Sequence, residues 1–420
     1  MKTKAVRLYG VDDIRLEEFE LPEIKDDEIL VKIITDSICM STYKTVKQGK
    51  NHKRVPNDVA VNPIILGHEF AGDIVKVGKK WQNQFKQGQR FAQQPALNYK
   101  GSLASPGYSY KYFGGDCTYC IIPQEVMELG CLMVYEGDSY YSASLGEPMS
   151  CIIGGYHANY HTNKVNYNHE MGIKENGYLL ILGGTGPMGL GAIDYAGAIE
   201  KKPKKVVVTD ISEDRLARAK QILSEESMKK RGIELIYFNP NDYENDEQAL
   251  MDLSDGHGYD DVFIYAPVQE LAEQGNRLLA FDGCMNIFAG PTDKDFSAMV
   301  NLYDTHYTST HIMGTTGGNN DDLLEALDLS SKGLVNPSLM VTHIGGLDSV
   351  ADTTLRLPEI SGGKKLIYTQ IEMPLTAIDD FEELGKNNEL FKLLADSCGK
   401  HNGLWNAQAE QILLNYNKLT

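Results

Sequence analysis

The chain has 420 residues, which exceeds one ordinary hydrophobic core and predicts two domains. Its formal net charge of -18 argues against nucleic acid or an anionic membrane as the main partner, and no run approaches the roughly 20 apolar residues of a membrane helix. Seven cysteines without a regular spacing, and an N-terminus without a signal-peptide core, predict a reducing cytoplasm in which thiols are free or bind metal.

Residues 1 to about 150 have the pattern of a β-rich region. Alternating strands such as 29–34 and 70–78 are separated by turns rich in Gly, Pro and Asn. The sequence therefore predicts a first region that is mainly β.

From about 175 to 318 the pattern changes to strands alternating with helices. The predicted strands are 179–182, 205–210, 233–238, 261–266 and 284–290, and the predicted helices are 190–199, 213–230 and 268–280. Buried strands that alternate with helices predict a doubly wound parallel sheet. The rest of the chain returns to mixed structure, and from about Asn388 it reads as amphipathic helix.

A glycine-rich turn follows strand 179–182. Gly184, Gly186 and Gly189 have the G-x-G-x-x-G spacing, in which the glycines allow a tight turn, a close approach to a pyrophosphate and helix-on-strand packing. The pyrophosphate would lie on the free amides at the helix start. The residues expected to bind the cofactor here are Gly184, Thr185, Gly186, Pro187, Met188 and Gly189. A glycine-rich turn that binds nothing would share this spacing.

Asp210 ends the second buried strand, 26 residues past Gly184. A carboxylate at this place can accept hydrogen bonds from the adenosine ribose, which favours NAD over NADP. Arg215 could approach a 2′-phosphate, so NADP stays possible. An acid at a helix N-terminus is the alternative for Asp210 alone, but strand, turn, helix, strand and acid together favour a dinucleotide site.

Four residues of the first region have the chemistry of a catalytic zinc site. Cys39 follows a strand, His68 and Glu69 follow Gly67, and Glu147 lies just before the second region. A thiolate, an imidazole and carboxylates are ligands that zinc uses in such sites. Taken singly, Cys39 could be a small buried residue, His68 a core histidine and Glu147 a surface acid.

In the order of these residues the chain resembles the zinc-dependent medium-chain dehydrogenases/reductases, the superfamily of alcohol and sorbitol dehydrogenases. The matching positions are Cys39, Gly67-His68-Glu69, Gly78, Gly114-Gly115, Tyr119, Pro123, Glu147-Pro148, the Gly184–Gly189 turn and Asp210. The resemblance implies an α/β fold in which a GroES-like, β-rich catalytic domain is split by an inserted Rossmann domain. The expected boundaries are 1–150 for the first catalytic part, 151–318 for the Rossmann domain, and 319–420 for the second catalytic part with a helical extension.

The resemblance also implies roles for single residues. Cys39 and His68 would be zinc ligands, and Glu69 or Glu147 would complete the protein shell. Ser41 would relay a proton between substrate oxygen and cofactor ribose. Lys44 stands where alcohol dehydrogenases often have a relay histidine, which puts the end of that relay in doubt.

Two departures from the superfamily pattern are informative. The four closely spaced cysteines of a structural zinc are missing from about residues 90 to 115, so that zinc is expected to be absent. Cys117 and Cys120 are expected to be structural. Glu147, where alcohol dehydrogenases have cysteine, indicates the polyol branch.

Within the superfamily the chain is most similar to the L-sorbose-1-phosphate reductases, in segments 39–44, 52–59 and 94–98 and in the extended C-terminus. This implies hydride transfer between NAD(P)(H) and a ketose phosphate/polyol phosphate pair, such as L-sorbose 1-phosphate and D-glucitol 6-phosphate. A phosphorylated substrate needs a cationic patch near the zinc. The candidates are Lys44, Lys47, His52, Lys53 and Arg54, most of which could equally belong to a solvated loop. Lys364-Lys365 is expected only to flank a strand.

Two other functions remain open from the sequence. One is a dehydrogenase of free polyols or secondary alcohols, and the other is a nucleotide-binding structural relative without catalysis. The expected partner is a small sugar phosphate, with neither nucleic acid nor membrane. A homodimer or homotetramer would be usual for the superfamily.

Overall fold

The computed structural model describes residues 1–416, and the end of the predicted C-terminal extension, 417–420, lies outside the described residues. The chain divides into two compact units. The first unit comprises Met1–Pro148, Leu323–Gly333 and the residues from Val341 onward, and the second comprises Met149–Asp322 and Leu334–Met340. None of the helices within residues 1–416 combines the length and hydropathy that crossing a bilayer requires.

The strands are, in chain order, β1 (Lys2–Gly10), β2 (Asp13–Glu20), β3 (Ile29–Ile38), β4 (Ile64–Ile65), β5 (Ala71–Val77), β6 (Arg90–Gln93), β7 (Tyr119–Ile122), β8 (Leu132–Val134), β9 (Tyr160–Thr162), β10 (His169–Met171), β11 (Tyr178–Leu182), β12 (Lys205–Thr209), β13 (Glu234–Phe238), β14 (Tyr259–Ile264), β15 (Leu279–Ile287), β16 (His311–Gly314), β17 (Val341–Gly346), β18 (Lys364–Tyr368) and β19 (Thr376–Ala377).

The α-helices are α1 (Met40–Gln48), α2 (Gln124–Glu128), α3 (Tyr140–Ser144), α4 (Gly146–Ala158), α5 (Pro187–Ala196), α6 (Glu213–Ile222), α7 (Glu225–Lys230), α8 (Asp246–Leu253), α9 (Gln269–Arg277), α10 (Leu302–Tyr307), α11 (Asn320–Ser331), α12 (Val350–Leu355), α13 (Phe381–Gly385), α14 (Glu389–Gly399) and α15 (Ala407–Tyr416).

The first unit is built on an eight-stranded sheet in the order β19-β17-β18-β3-β5-β6-β8, with β7 also paired to β3. A smaller sheet has the order β2-β1-β4. Strand β3 alternates buried and half-buried side chains at its start and is buried throughout its second half. Its antiparallel register on β18 sets Lys365 opposite Ile38 and Leu366 opposite Ser37. The end of β3 and the start of β18 are therefore neighbours.

The second unit contains a six-stranded sheet in the order β13-β12-β11-β14-β15-β16, and every pairing in it is parallel. The central strands β11 and β12 are almost wholly buried, as strands with helices on both faces must be. This arrangement confirms the predicted doubly wound fold. The edge strand β16 and the β9–β10 hairpin were not predicted from the sequence pattern.

The prediction of one helix over 213–230 is wrong. Helix α6 ends at Ile222, Leu223 leaves the helical region with φ -137° and ψ 77°, and α7 begins after Ser224. The Ser224 side chain accepts a hydrogen bond from the Ser227 amide and thereby caps the new helix. A serine that can cap a helix competes with continuation of the preceding one, and here the cap wins.

The C-terminal helices of the first unit are fixed by side chains. Asn388 caps α14, which agrees with the predicted start of the helix. In α15 the buried Glu410 accepts hydrogen bonds from the amides of Tyr140 and Tyr141 at the start of α3. The extension is thus tied to the segment that leads into α4.

Candidate active site

Three of the four residues with metal-binding chemistry lie at two chain turns of the first unit. Cys39 directly follows β3 and occupies the N-cap of α1 in an extended conformation. His68 and Glu69 follow Gly67, which has φ +84° and whose added Cβ would lie 1.9 Å from Asp36 Oδ2. Only glycine fits this approach, so Gly67 sets the place of His68 and Glu69.

Cys39, His68 and Glu69 each direct one ligand atom into a common space, and these atoms lie within 4.8 Å of one another. His68 and Glu69 are buried, whereas Cys39 is partly exposed. Among residues 1–416 this is the only such trio of His, Cys, Asp and Glu side chains. Sulfur, nitrogen and oxygen donors on one open space suit zinc.

Hydroxyl groups of α1 surround the imidazole of His68. Ser41 Oγ donates to Cys39 Sγ at 3.0 Å and lies 3.2 Å from His68 Nε2. Thr42 Oγ1 lies 3.4 Å from His68 Nδ1, on the other side of the ring. Gln93 Nε2 donates to the His68 carbonyl at 2.9 Å. The ring is held from both edges, as the orientation of a metal-binding histidine requires.

Glu69 forms a buried ion pair with Lys364. The ammonium lies 2.6 and 2.5 Å from the two carboxylate oxygens, and Ser37 Oγ donates to one of them. The expectation that Lys364 and Lys365 only flank a strand is wrong, because both are buried within β18. The β3–β18 register brings Lys364 to the end of β3, beside Cys39.

The charges in this cluster are coupled. Burial opposes ionisation of Glu69, but the Lys364 ammonium outweighs it and lowers the pKa of that carboxyl. Burial likewise disfavours the charged form of Lys364, yet the charge of Glu69 raises the pKa of the amine. Burial raises the pKa of Cys39 to about 11. A thiol with such a pKa stays neutral at pH 7 unless a cation binds to it.

Tyr108 enters the site from the loop at about residues 90 to 115, where the chain has no cysteine. Its hydroxyl lies 3.4 Å from His68 Nε2, and its ring centre lies 5.0 Å from that of His68. Burial raises the pKa of Tyr108, and the charges of Cys39 and Glu147 raise it further, so the phenol is neutral at pH 7. Gly107, with φ +76°, packs on the Gly67 carbonyl and allows this entry.

The glycine-rich turn of the second unit joins β11 to α5. Gly183 supplies the left-handed conformation, φ +69°, one residue before the first motif glycine. An added Cβ on Gly189 would lie 2.1 Å from the Gly184 carbonyl oxygen, whereas one on Gly186 would meet nothing within 4 Å. Gly186 is the N-cap of α5 and Pro187 its first residue. The turn is packed at Gly189 and open at Gly186.

Asp210 lies just past β12, beside this turn. It is buried and accepts hydrogen bonds from Thr185 Oγ1 and from the Ser212 amide. Arg215 Nη2 lies 3.0 Å from Asp210 Oδ1, and its side chain is 55% exposed. Met188 lies in the first turn of α5.

Comparison with known proteins gives two family models, and two sugar-phosphate enzymes are among the relatives that match nearly the full chain. Residues 25–164 match the alcohol dehydrogenase GroES-like domain, and residues 187–332 match the zinc-binding dehydrogenase model. A mannitol-1-phosphate 5-dehydrogenase of Aliivibrio fischeri is 50% identical over 99% of this chain and 98% of the relative. An L-sorbose 1-phosphate reductase of Klebsiella pneumoniae is 47% identical over 98% of this chain and 97% of the relative.

The chain belongs to the zinc-dependent medium-chain dehydrogenase/reductase family. It is therefore an oxidoreductase of the alcohol and polyol dehydrogenase class that uses zinc and NAD(P). A solved 2R,3R-butanediol dehydrogenase of Bacillus subtilis has the same fold, with a TM-score of 0.69 at 21% identity over 87% of this chain and 99% of that one.

Not every family position predicted from the sequence falls in the trio. Glu147 lies half-buried in the first turn of α4, outside the group of three but close enough to act on Tyr108. Lys44 lies half-buried on α1. Lys364 and Tyr108 were missed. Two lysines at the start of an apolar strand could have indicated a role for Lys364. Nothing in the local sequence around Tyr108 distinguishes it from other loop tyrosines.

Proposed function

We propose that the protein interconverts a ketose phosphate and a polyol phosphate by hydride transfer with NAD(P)(H). The pair favoured by the sequence is L-sorbose 1-phosphate and D-glucitol 6-phosphate. The relative at 50% identity makes mannitol 1-phosphate the second candidate substrate. The observation that carries the proposal is the trio of Cys39, His68 and Glu69 in a chain that matches two sugar-phosphate enzymes along its length.

The donor set fits a catalytic zinc. We infer that Cys39, His68 and Glu69 hold the ion, since their ligand atoms converge, and that Lys364 positions the Glu69 carboxylate. When bound, zinc supplies a Lewis acid for the substrate oxygen, and the nicotinamide accepts or gives the hydride. Glu147 would act as a nearby charge or as an exchanging ligand.

Ser41 is the proposed proton carrier. Its hydroxyl lies between Cys39 Sγ and His68 Nε2, so it reaches the space where the substrate oxygen would lie. In polyol oxidation the hydride leaves from carbon and the hydroxyl proton passes through Ser41 toward solvent. Tyr108, neutral at pH 7, closes the same space and can donate a hydrogen bond to the substrate. Lys44 on α1 is the candidate for the far end of this proton path.

For the cofactor we propose NAD. The open side of Gly186, at the N-terminus of α5, suits a pyrophosphate, and the buried carboxylate of Asp210 suits ribose hydroxyls. The same carboxylate would repel a 2′-phosphate. Arg215 already pairs with Asp210, so its positive charge is partly neutralised and it would bind the 2′-phosphate of NADP less strongly.

The proposed function is tested with the purified enzyme and both reduced cofactors. L-sorbose 1-phosphate and D-fructose 6-phosphate would be compared with L-sorbose and D-fructose, and D-mannitol 1-phosphate would be oxidised in the reverse assay. A strong preference for phosphorylated over free substrates, with all turnover lost with a chelator and restored by zinc, is the expected result. Turnover of the free sugars alone would replace the proposal by a free-polyol dehydrogenase.

The choice between the two carboxylates is tested by zinc content. Glu69→Gln is expected to lower the zinc bound per chain after dialysis against a weak chelator. Glu147→Gln is expected to keep zinc and to lower turnover only. The reverse pattern would make Glu147 the ligand and Glu69 a partner of Lys364 alone.

A further inference from the structure

The segment 52–54 lies against the ring of Tyr108, on the same side of the first unit as the metal-binding trio. The segment follows a short 3₁₀ turn, Gly49–Asn51. Val55 and Val59, which come directly after it, are buried in a hydrophobic cluster with Val46 and Ile14. The segment 52–54 is therefore held against the core by the residues that follow it, unlike a solvated loop.

Two cationic or polar side chains of this segment contact one aromatic ring. The guanidinium carbon of Arg54 lies 5.2 Å from the ring centre of Tyr108. The imidazole of His52 stacks on the same ring, with 5.5 Å between ring centres and 19° between planes. Since the hydroxyl of that ring reaches His68, Arg54 is one aromatic ring away from the proposed zinc ligands.

Apart from its contact with the Tyr108 ring, the guanidinium of Arg54 has no hydrogen-bond acceptor among residues 1–416. Three arginines have a buried Nε without a hydrogen bond, namely Arg7, Arg54 and Arg90. Arg7 pairs with Glu17 at 2.9 Å, and Arg90 Nη1 donates to the Gly137 carbonyl. For Arg54, no carboxylate or carbonyl among residues 1–416 accepts from the guanidinium. A rigid, unpaired fork of donors is what a phosphate dianion requires.

The backbone around Arg54 fixes this geometry. The Arg54 amide donates to His52 Nδ1 at 3.3 Å, and Ser109 Oγ donates to the Arg54 carbonyl at 2.7 Å. Because Nδ1 accepts, the neutral imidazole carries its proton on Nε2, which is then a donor. Burial, together with the charges of Arg54 and Lys53, lowers the pKa of His52, which favours the neutral imidazole at pH 7.

The other candidate cations are arranged differently. Lys47 pairs with Asp12 at 2.9 Å, Lys53 is exposed to solvent, and the half-buried Lys44 has an interaction partner. Arg54 is thus the candidate that combines a packed side chain with unused donors.

We propose that Arg54, with the Nε2–H of His52 beside it, binds the phosphate group of the sugar-phosphate substrate and thereby selects phosphorylated over free polyols. The proposal rests on the proposed function, and it names the residue that gives the site its substrate class. Tyr108 would hold the guanidinium by stacking while its hydroxyl faces the reacting end of the same substrate. Loss of the guanidinium should then affect phosphorylated substrates alone.

The test is steady-state kinetics of wild type, Arg54→Gln, Arg54→Lys and Lys50→Gln. Lys50 is an exposed neighbour whose substitution removes the same charge from the same loop. Each protein would be assayed on L-sorbose 1-phosphate or mannitol 1-phosphate and, at high concentration, on the matching free sugar. For Arg54→Gln we expect the KM of the phosphorylated substrate to rise about 10- to 100-fold. Turnover of the free sugar should stay within about twofold of wild type.

Two controls separate the loss of phosphate binding from misfolding. They are the Arg54→Lys variant and a thermal melting curve of each protein. Arg54→Lys should recover part of the lost affinity, because it keeps the charge but not the fork. Lys50→Gln should match wild type. An unchanged KM for Arg54→Gln, or an equal loss on phosphorylated and free substrates, would overturn the proposal while leaving the proposed function in place. A wild-type enzyme that turns over no sugar phosphate would overturn both.

Discussion

The glycine-rich turn proposed to bind the nucleotide and the proposed metal centre are assembled in different ways. The turn takes its residues from one stretch, 183–189, and its one distant member, Asp210, lies just past the adjacent parallel strand β12. The metal centre joins Cys39, His68 and Glu69 to Lys364, which is 295 residues from Glu69. The glycine-rich turn is therefore determined mainly by local backbone geometry, whereas the proposed metal centre depends on the register between distant strands.

The largest effect is expected from the metal centre. Cys39→Ala removes the sulfur donor, so we expect zinc to be lost and turnover to fall by about 10³-fold or more. The measurement is zinc per chain by elemental analysis together with kcat. Cys398→Ala, in α14, is the control, because Cys398 is buried outside the trio and should keep its zinc. Full zinc occupancy in Cys39→Ala would remove Cys39 from the ligand set.

The next effect separates two adjacent lysines. Lys364→Met leaves Glu69 buried without a counter-ion, which should cost about 3–5 kcal/mol of unfolding free energy in the zinc-free protein. It should also weaken zinc binding about 10- to 100-fold, because the carboxylate loses its orientation. Urea unfolding with chelator present and a competitive zinc titration measure the two quantities.

Lys365→Met is the matched control for that experiment. Within the described part of the chain, Lys365 Nζ donates only to the carbonyls of Ser361 and Gly363, at 2.8 and 2.7 Å. Loss of the Lys365 ammonium should lower the free energy of unfolding by about 1–3 kcal/mol and leave zinc affinity unchanged. Equal zinc affinities in the two variants would show that register alone does not build the metal centre.

These two lysines also show where inference from the sequence ends. Strand pattern and glycine spacing were enough to predict the doubly wound sheet, and the split GroES-like domain followed from the family resemblance. They could not separate Lys364 from Lys365, because only the β3–β18 pairing brings Lys364 beside Glu69. In the same way, the position of Tyr108 against His68 depends on Gly107 packing on Gly67, a contact between loops 40 residues apart.

The nucleotide-binding turn can be tested by adding one methyl group at two glycines. Gly189→Ala would place Cβ against the Gly184 carbonyl, which is backbone and cannot move aside. We therefore expect the free energy of unfolding to fall by about 1–3 kcal/mol and NADH to bind more weakly. Gly186→Ala meets open space and should melt like wild type, yet bind NADH about 10-fold more weakly, because the methyl group crowds the pyrophosphate. Melting curves and NADH fluorescence titrations distinguish the two. If Gly189→Ala melts like wild type, the close approach of residue 189 to the Gly184 carbonyl does not require glycine.

The smallest effect concerns cofactor choice, at the end of the local motif that Asp210 occupies. Arg215→Ala removes the half-exposed arginine of an ion pair whose carboxylate is buried, and since that carboxylate keeps two other hydrogen bonds, the free energy of unfolding should change by about 1 kcal/mol. Because Asp210 keeps its bonds to Thr185 and Ser212, the KM for NAD should stay within about twofold. The KM for NADP should rise by about 5- to 10-fold, since the only cation that pairs with this carboxylate among residues 1–416 is lost and repulsion of the 2′-phosphate is no longer offset. Lys220→Ala, exposed on the same helix α6, removes an equal charge farther along and should alter neither constant. If instead Arg215→Ala weakens NAD as much as NADP, Arg215 acts by holding Asp210 in place, and even the local site depends on a side-chain contact that its glycine spacing does not reveal.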